Sequence, residues 1–249
     1  MIKIPEDMIQ GSLHPTRKWG DVEILNYSGR REVLVRFVNS GIVRETRAEL
    51  IRQGIVEDTT VPSVFGIGFL GIGDYRPAEH KKEHVHWKGL LERSYCEKLV
   101  IKRPSYLEVY TDPMWHNFQN FAPWCHTQKG FYNKSWELDK DLLIKGNKVY
   151  SPKTCVFLPP KINNALVRGS RNSELPIGVC YSGNSMGYRA YCSDRGKTLS
   201  KRSESIEECF NWYKDTKESV IKSLADEYAH LLDEVAYEAL YKYEVEWGD

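Results

Sequence analysis

The sequence predicts an α+β protein built from several small domains. Three observations carry this expectation. Apolar and polar residues alternate between Val22 and Phe37, with turn residues between the runs. Three short strand-like runs lie between residues 174 and 202, separated by glycine-containing turns. A helical apolar stripe then continues to about residue 243. A chain of 249 residues is long enough for one large core or roughly two to three small ones. Apolar residues make up 41% and charged residues 28%, which is the balance of a globular chain rather than a disordered one. A net charge of +1 excludes a uniformly basic nucleic-acid binder but leaves room for basic patches offset by acidic helices.

Residues 1–60 read as a small antiparallel β-barrel module. Val22, Ile24, Val33, Val35 and Phe37 alternate with polar neighbours, and Asn26-Tyr27-Ser28-Gly29 and Asn39-Ser40-Gly41 are turn signals. Trp19 is expected at the barrel mouth. Residues 61–79 form a glycine-rich linker. Gly66, Gly68, Gly71 and Gly73 contain a G-x-G-x-x-G, yet Asp74-Tyr75-Arg76-Pro77 follows where a dinucleotide loop would open a helix. A linker packing on the next domain is the expected role.

Residues 80–167 form a central domain. Leu90 to Cys96 has the spacing of a short amphipathic helix, and Trp115, Phe118 and Phe121 form the apolar face of a second. An aromatic stripe at this spacing reads as core. His80, His84 and His86 could ligate a metal, but without a matched carboxylate signature they read as surface or capping residues. Residues 168–249 form a three-stranded sheet followed by a long helical segment, with Ser205 and Glu208 spaced as a capping box. Ile206, Phe210, Tyr213, Val220, Leu224, Leu231, Val235 and Leu240 form its stripe. That stripe is too long for one small sheet, so it is expected to break or to pack elsewhere.

Six scattered cysteines without a C-x-x-C pair suggest neither a zinc knuckle nor a disulfide framework. The opening MIKIPEDMIQ lacks the basic-then-apolar pattern of a signal peptide, and Val61 to Gly73 is too short and glycine-rich to span a bilayer. A cytoplasmic protein without a membrane partner is expected.

The central block resembles phage-encoded HNH-type proteins. The residues that carry the likeness are Trp87, Arg93, Tyr95, Cys96, Trp115, Phe118, Phe121, Leu138, Asp139, Lys140, Asp141, Gly146, Asn147, Tyr150, Ser151, Pro152 and Cys155. The segment from residue 174 to about 230 resembles the ethylene-response-factor type of DNA-binding domain, through Pro176 to Val179, Gly187 to Ala190 and the Glu207-Glu208-Cys209-Phe210-x-x-Tyr213 helix. The N-terminal module looks like one that recurs before this pair in phage proteins. The resemblance implies a small barrel, a ββα-like HNH module, and a sheet plus helix, as in phage homing endonucleases acting in the host cytoplasm.

An HNH site needs a histidine to activate water, oxygen or nitrogen ligands for one divalent metal, and an asparagine that orients the loop. In the resembled frame Lys140 occupies the place of the general base, and the closing asparagine falls near Thr154. A lysine is normally protonated at neutral pH. Asp139, Lys140, Asp141 and Asn147 are therefore the candidate catalytic set, with Asp141 as a possible Mg²⁺ ligand should activity survive. The same residues could instead cap, pair and turn: Asp139 and Asp141 as an acidic edge, Asn147 in its turn with Gly146, and Ser151-Pro152 opening a helix.

The resembled domain places its sheet in the major groove of double-stranded DNA. The candidate contacts are Arg168, Arg171, Arg189, Tyr191, Arg195, Lys197, Lys201 and Arg202. Strand parity puts Arg189 and Tyr191 on one face and Tyr188 on the other. Three functions follow: a DNA-binding protein of HNH-endonuclease descent with degraded cleavage, a scaffold reused to bind and inhibit a host defence protein, or an active Mg²⁺-dependent nickase.

Overall fold

The structure is a computed structural model describing residues 3–166, 174–183 and 187–249. It is mixed α+β and divides into two compact units, Met1–Glu97 with Pro113–Ala122, and Lys98–Asp112 with Pro123–Asp249. The boundary between them runs through the segment 80–167 read from the sequence as one central domain, with 80–97 and 113–122 in the first unit and the remainder in the second.

The first unit opens with β1 (Leu13–Pro15), β2 (Asp21–Gly29), β3 (Glu32–Phe37) and β4 (Val43–Thr46), all antiparallel in sequential order. The alternation works as expected: Val22, Ile24, Val33, Val35 and Phe37 are all buried. The expected barrel is not formed. Closure would need the outer strands to pair, but β1 and β4 stay at opposite edges and are only three and four residues long. Bulges between Ile24 and Asn26 and between Tyr27 and Gly29 curl β2 instead. Met8 and Ile51, the latter on the short helix α1 (Ala48–Arg52), fill the open side, and Trp19 lies half-buried against this core.

The glycine-rich stretch packs within this unit. Val64 bridges Gly68 across a turn in which Phe65 takes a positive φ of 50°. Gly68 lies so close to α2 (Lys81–Tyr95) that a Cβ there would stand 2.4 Å from Leu91 Cδ1. No helix opens after Gly73; α2 begins beyond the Arg76-Pro77 turn. Trp87, Leu90 and Leu91 of α2 join Trp115, Phe118 and Phe121, all fully buried, and Trp87 Nε1 donates to the Trp115 carbonyl at 2.7 Å. The aromatic stripe is core.

None of the three α2-region histidines meets the others at a metal site. His80 Nδ1 accepts the Arg76 N–H at 3.2 Å, and the His84 ring sits edge-on to Phe118. Among the described residues no group of three or more His, Cys, Asp or Glu is placed to hold a metal ion. Burial depresses the His86 imidazole to about 4, and the Lys82 and Arg93 charges act in the same sense. Its folded-state value is thus below the unfolded value near 6.5, so the unfolded chain takes the proton first. The stability that neutral His86 contributes is complete above about pH 6.5 and is lost as pH falls toward 4. Urea unfolding followed by tryptophan fluorescence should show about 2–3 kcal/mol more loss between pH 7.5 and 4.5 than the same titration on His86→Gln. Identical pH profiles would refute this role.

The second unit begins in α3 (Glu97–Lys102) and continues through β5 (Tyr110–Thr111). It resumes in α4 (Phe118–His126), which starts in the first unit's segment. Next come β6 (Glu137–Asp139), β7 (Val149–Tyr150), β8 (Val156–Leu158) and α5 (Pro160–Leu166). β6 and β8 pair antiparallel, with Leu138 opposite Phe157, and β7 within their connection pairs in parallel with β5. The local order is strand, long loop, strand, helix, with α5 packed on β6.

The C-terminal part contains β9 (Val179–Tyr181), β10 (Tyr188–Asp194), β11 (Lys197–Ser203), α6 (Ile206–Tyr228) and α7 (Glu234–Tyr241). The three strands form one antiparallel sheet with β10 central. Arg195 and Gly196 make a two-residue turn with both φ positive, which fixes the β10–β11 register. Ala190 and Cys192 bury against Cys209, Phe210 and Tyr213 of α6. Ser205 Oγ caps α6 by accepting the Glu208 N–H at 3.2 Å, while the Glu208 carboxylate takes Ser203 Oγ rather than closing the box. A helix of 23 residues is about 35 Å long and overruns this sheet. Its far half, with Val220, Ile221 and Leu224 buried, packs on α5 and α7. The expected break falls at Ala229–Asp233 and shifts the stripe: Leu232, Ala236 and Leu240 are buried, whereas Val235 is exposed. Among the described residues no helix is long and apolar enough to cross a membrane.

Candidate nucleic-acid interface and central hairpin

The open face of the C-terminal sheet is set by register. Facing residues on paired strands project to the same side. The pairs Arg189 with Arg202, Tyr191 with Ser200, Ser193 with Thr198, and Arg189 with Cys180 therefore share the face away from α6. No carboxylate stands in register among them. The Arg189 guanidinium lies 4.6 Å from the Tyr191 ring centroid, and its Nη2 donates to Ser200 Oγ at 3.1 Å. Its Nε–H is buried without an acceptor, a cost that an acceptor brought by a ligand would relieve. Two arginines directly opposite each other repel, and among the described residues neither has a carboxylate partner.

The other candidate contacts lie elsewhere. Lys201 pairs opposite buried Ala190 and Lys197 opposite Asp194, so both project toward the α6 side at the exposed edge strand. Arg195 is tied back into the fold: it pairs with Asp194 at 3.0 Å and with Glu227 at 3.2 Å, and donates to Ser223 Oγ at 3.0 Å. Arg168 and Arg171 lie outside the described residues. Ser200 was not singled out from the sequence, yet the two-residue turn, once recognised, places it opposite Tyr191.

The loop between β6 and β8 gathers the candidate catalytic residues. Lys140 is only 7% exposed. Its ammonium donates to Asp141 Oδ1 at 2.7 Å, to Asp141 Oδ2 at 2.8 Å and to the Asn147 carbonyl at 2.8 Å. A lysine has three N–H donors, and all three are used. The Asn147 amide donates to the Lys140 and Val149 carbonyls at 2.8 and 2.7 Å, and its Oδ1 accepts the Val149 N–H at 3.1 Å. Asp139 Oδ1 caps the turn by accepting the Asp141 and Leu142 N–H groups at 2.9 and 2.7 Å. Burial pushes the Asp139 carboxyl above the ordinary carboxylate range; the Leu142 N–H opposes this and the Asp141 charge adds to it.

Thr154, standing near the closing-asparagine position, is buried and donates to the Val149 carbonyl at 2.8 Å, with Ser151 Oγ at 2.9 Å. Cys155 beside it is buried, and desolvation pushes its thiol up to about 12, so it is chemically quiet. The donor set does not fit a divalent metal. Both Asp141 oxygens already face an ammonium, and one Asp139 oxygen holds two backbone N–H groups. A hard cation taking those oxygens would have to displace Lys140, whose positive charge would then be buried beside it.

Comparison of the chain with protein-family models, with curated proteins and with solved structures gives no match. The functional reading therefore stands on the residues and their geometry.

Proposed function

We propose that this chain is a phage-type protein of HNH-endonuclease descent that binds double-stranded DNA through the open face of its C-terminal sheet, without cleaving it. The observation that carries the binding half is the arginine pair. Arg189 and Arg202 face each other across β10 and β11, unneutralised, beside Tyr191 and three small hydroxyl side chains. A sheet tolerates opposed like charges at a cost, and a polyanion in that face would reverse its sign. Small neighbours let the sheet lie close to a groove, where arginines reach phosphates and base edges.

The loss of cleavage is supported by Lys140. At the place the general base would occupy stands a buried ammonium with every donor engaged. It has no lone pair to take a proton from water, and it claims both oxygens of the nearest metal-ligand candidate. The hairpin thus keeps its loop geometry through Asn147 while the chemistry is replaced by an internal ion pair. The apolar stripe of the C-terminal helical segment, too long for the sheet alone, packs internally on the sheet, α5 and α7. Duplex binding across a salt series, with plasmid nicking in Mg²⁺ on the same preparation, tests both halves. Salt-sensitive binding without nicking is the expected result.

A further inference from the structure

A second set of cations in the same unit lies apart from the sheet. Lys98 and Lys102 lie on α3, Arg103 directly follows it, and Lys148 directly precedes β7. The chain brings them together. The Tyr110 N–H donates to the Lys148 carbonyl at 2.9 Å where β5 meets β7, and Lys148 Nζ lies 3.5 Å from the Ser105 carbonyl, two residues beyond Arg103. All four cations are exposed, and among the described residues none has a carboxylate partner. Of the other cations in this unit, Lys140, Lys145, Lys161, Arg195, Lys214 and Lys242 are held in ion pairs, whereas exposed Lys129, Lys134 and Lys153 stand apart on other segments. Glu97 and Glu108 lie in the same stretch and neutralise none of the four.

We propose that Lys102, Arg103 and Lys148, with Lys98 beside them, are a second anchor for the phosphate backbone of double-stranded DNA. The proposal rests on the DNA-binding reading of the sheet and extends it. A duplex is favoured over an acidic protein because its phosphate array is regular, so one ligand can engage two separated basic sites. The hairpin beside the patch is fastened to the sheet's helix: α5 packs on both β6 and α6, and Lys161 pairs with Glu227 at 3.1 Å. Both sets of cations therefore move as parts of one compact unit. The cations sit on short segments pinned by backbone hydrogen bonds, which suits phosphate contacts that position a protein without reading sequence.

The test is the salt dependence of duplex affinity, by fluorescence anisotropy on a mixed-sequence duplex of about 30 base pairs, with hydroxyl-radical footprinting on the same DNA. Each lost phosphate contact lowers the log–log salt slope by about 0.9. The triple variant Lys102→Ala, Arg103→Ala, Lys148→Ala should lower the slope by about 2–3, weaken binding roughly 10- to 100-fold at low salt, and shorten the footprint at one end. Lys102→Ala with Arg103→Ala, which leaves the β5–β7 contact intact, should give about two-thirds of the slope change. Wild-type slope and footprint in both variants would overturn the patch alone. Absence of duplex binding by the wild-type protein would overturn the sheet reading and the patch together.

Discussion

Replacing Arg189 and Arg202 together by alanine should remove most duplex binding while leaving the fold intact. Neither side chain supports the core: Ala190 and Cys192, on the opposite face, do that. Arg189 gives up one hydrogen bond to Ser200 and its stacking on Tyr191, both at the surface. Relief of the Arg189–Arg202 repulsion offsets part of that loss. Binding loses two phosphate or base contacts, and a well-placed bidentate arginine is worth about 1–3 kcal/mol. Affinity should fall at least about 30-fold at moderate salt, with an unchanged melting temperature. Lys197→Ala should matter less, since its side chain projects to the α6 side of the edge strand. Wild-type affinity in the Arg189/Arg202 variant would mean that the open face is not the interface.

The second large effect concerns stability. Lys140→Met keeps the side-chain length and apolar stem but removes the charge. The Asn147 carbonyl then loses its ammonium donor, and Asp141 loses both of its close hydrogen bonds. Removing one partner of a buried pair costs about 3–5 kcal/mol; because the Asp141 side chain is 47% exposed and can rehydrate, about 2 kcal/mol is the expected loss. Denaturant unfolding measures it directly. The double variant Lys140→Met with Asp141→Leu should recover part of the loss, because no unpaired charge remains. A single variant as stable as wild type would show that the ion pair contributes nothing to the hairpin.

The parts of this fold that were legible in the sequence are those where one face is buried. Val22 to Phe37 alternates because one side of β2 and β3 meets a core, and Trp115, Phe118 and Phe121 repeat at helical spacing for the same reason. Arg189 and Tyr191 could be placed because Ala190 and Cys192 mark the inner face between and beyond them. Lys197 and Lys201 could not, because β11 is an edge strand exposed along nearly its whole length and carries no apolar alternation to set its parity. Closure of the N-terminal sheet was equally illegible: short flanking strands are compatible with a barrel or an open sheet, and the choice is made by Met8 and Ile51, distant in sequence. The break after α6 was foreseeable from length, but the new register of α7 depends on Leu232 turning inward. At the hairpin, the sequence names Lys140 and Asp141 as neighbours. It does not show that the loop brings the Asn147 carbonyl back, seven residues on, to take the third ammonium donor.

The central claim is a nuclease frame that binds duplex DNA and no longer cuts it. It is tested most directly by incubating supercoiled plasmid with the protein at low salt in Mg²⁺ or Mn²⁺, alongside a gel shift on the same DNA. A shift that weakens with salt, with the plasmid left supercoiled, is the expected result. Metal-dependent nicking by the wild-type protein that disappears in Asp141→Ala would contradict it, because the carboxylate held by Lys140 would then be a working metal ligand.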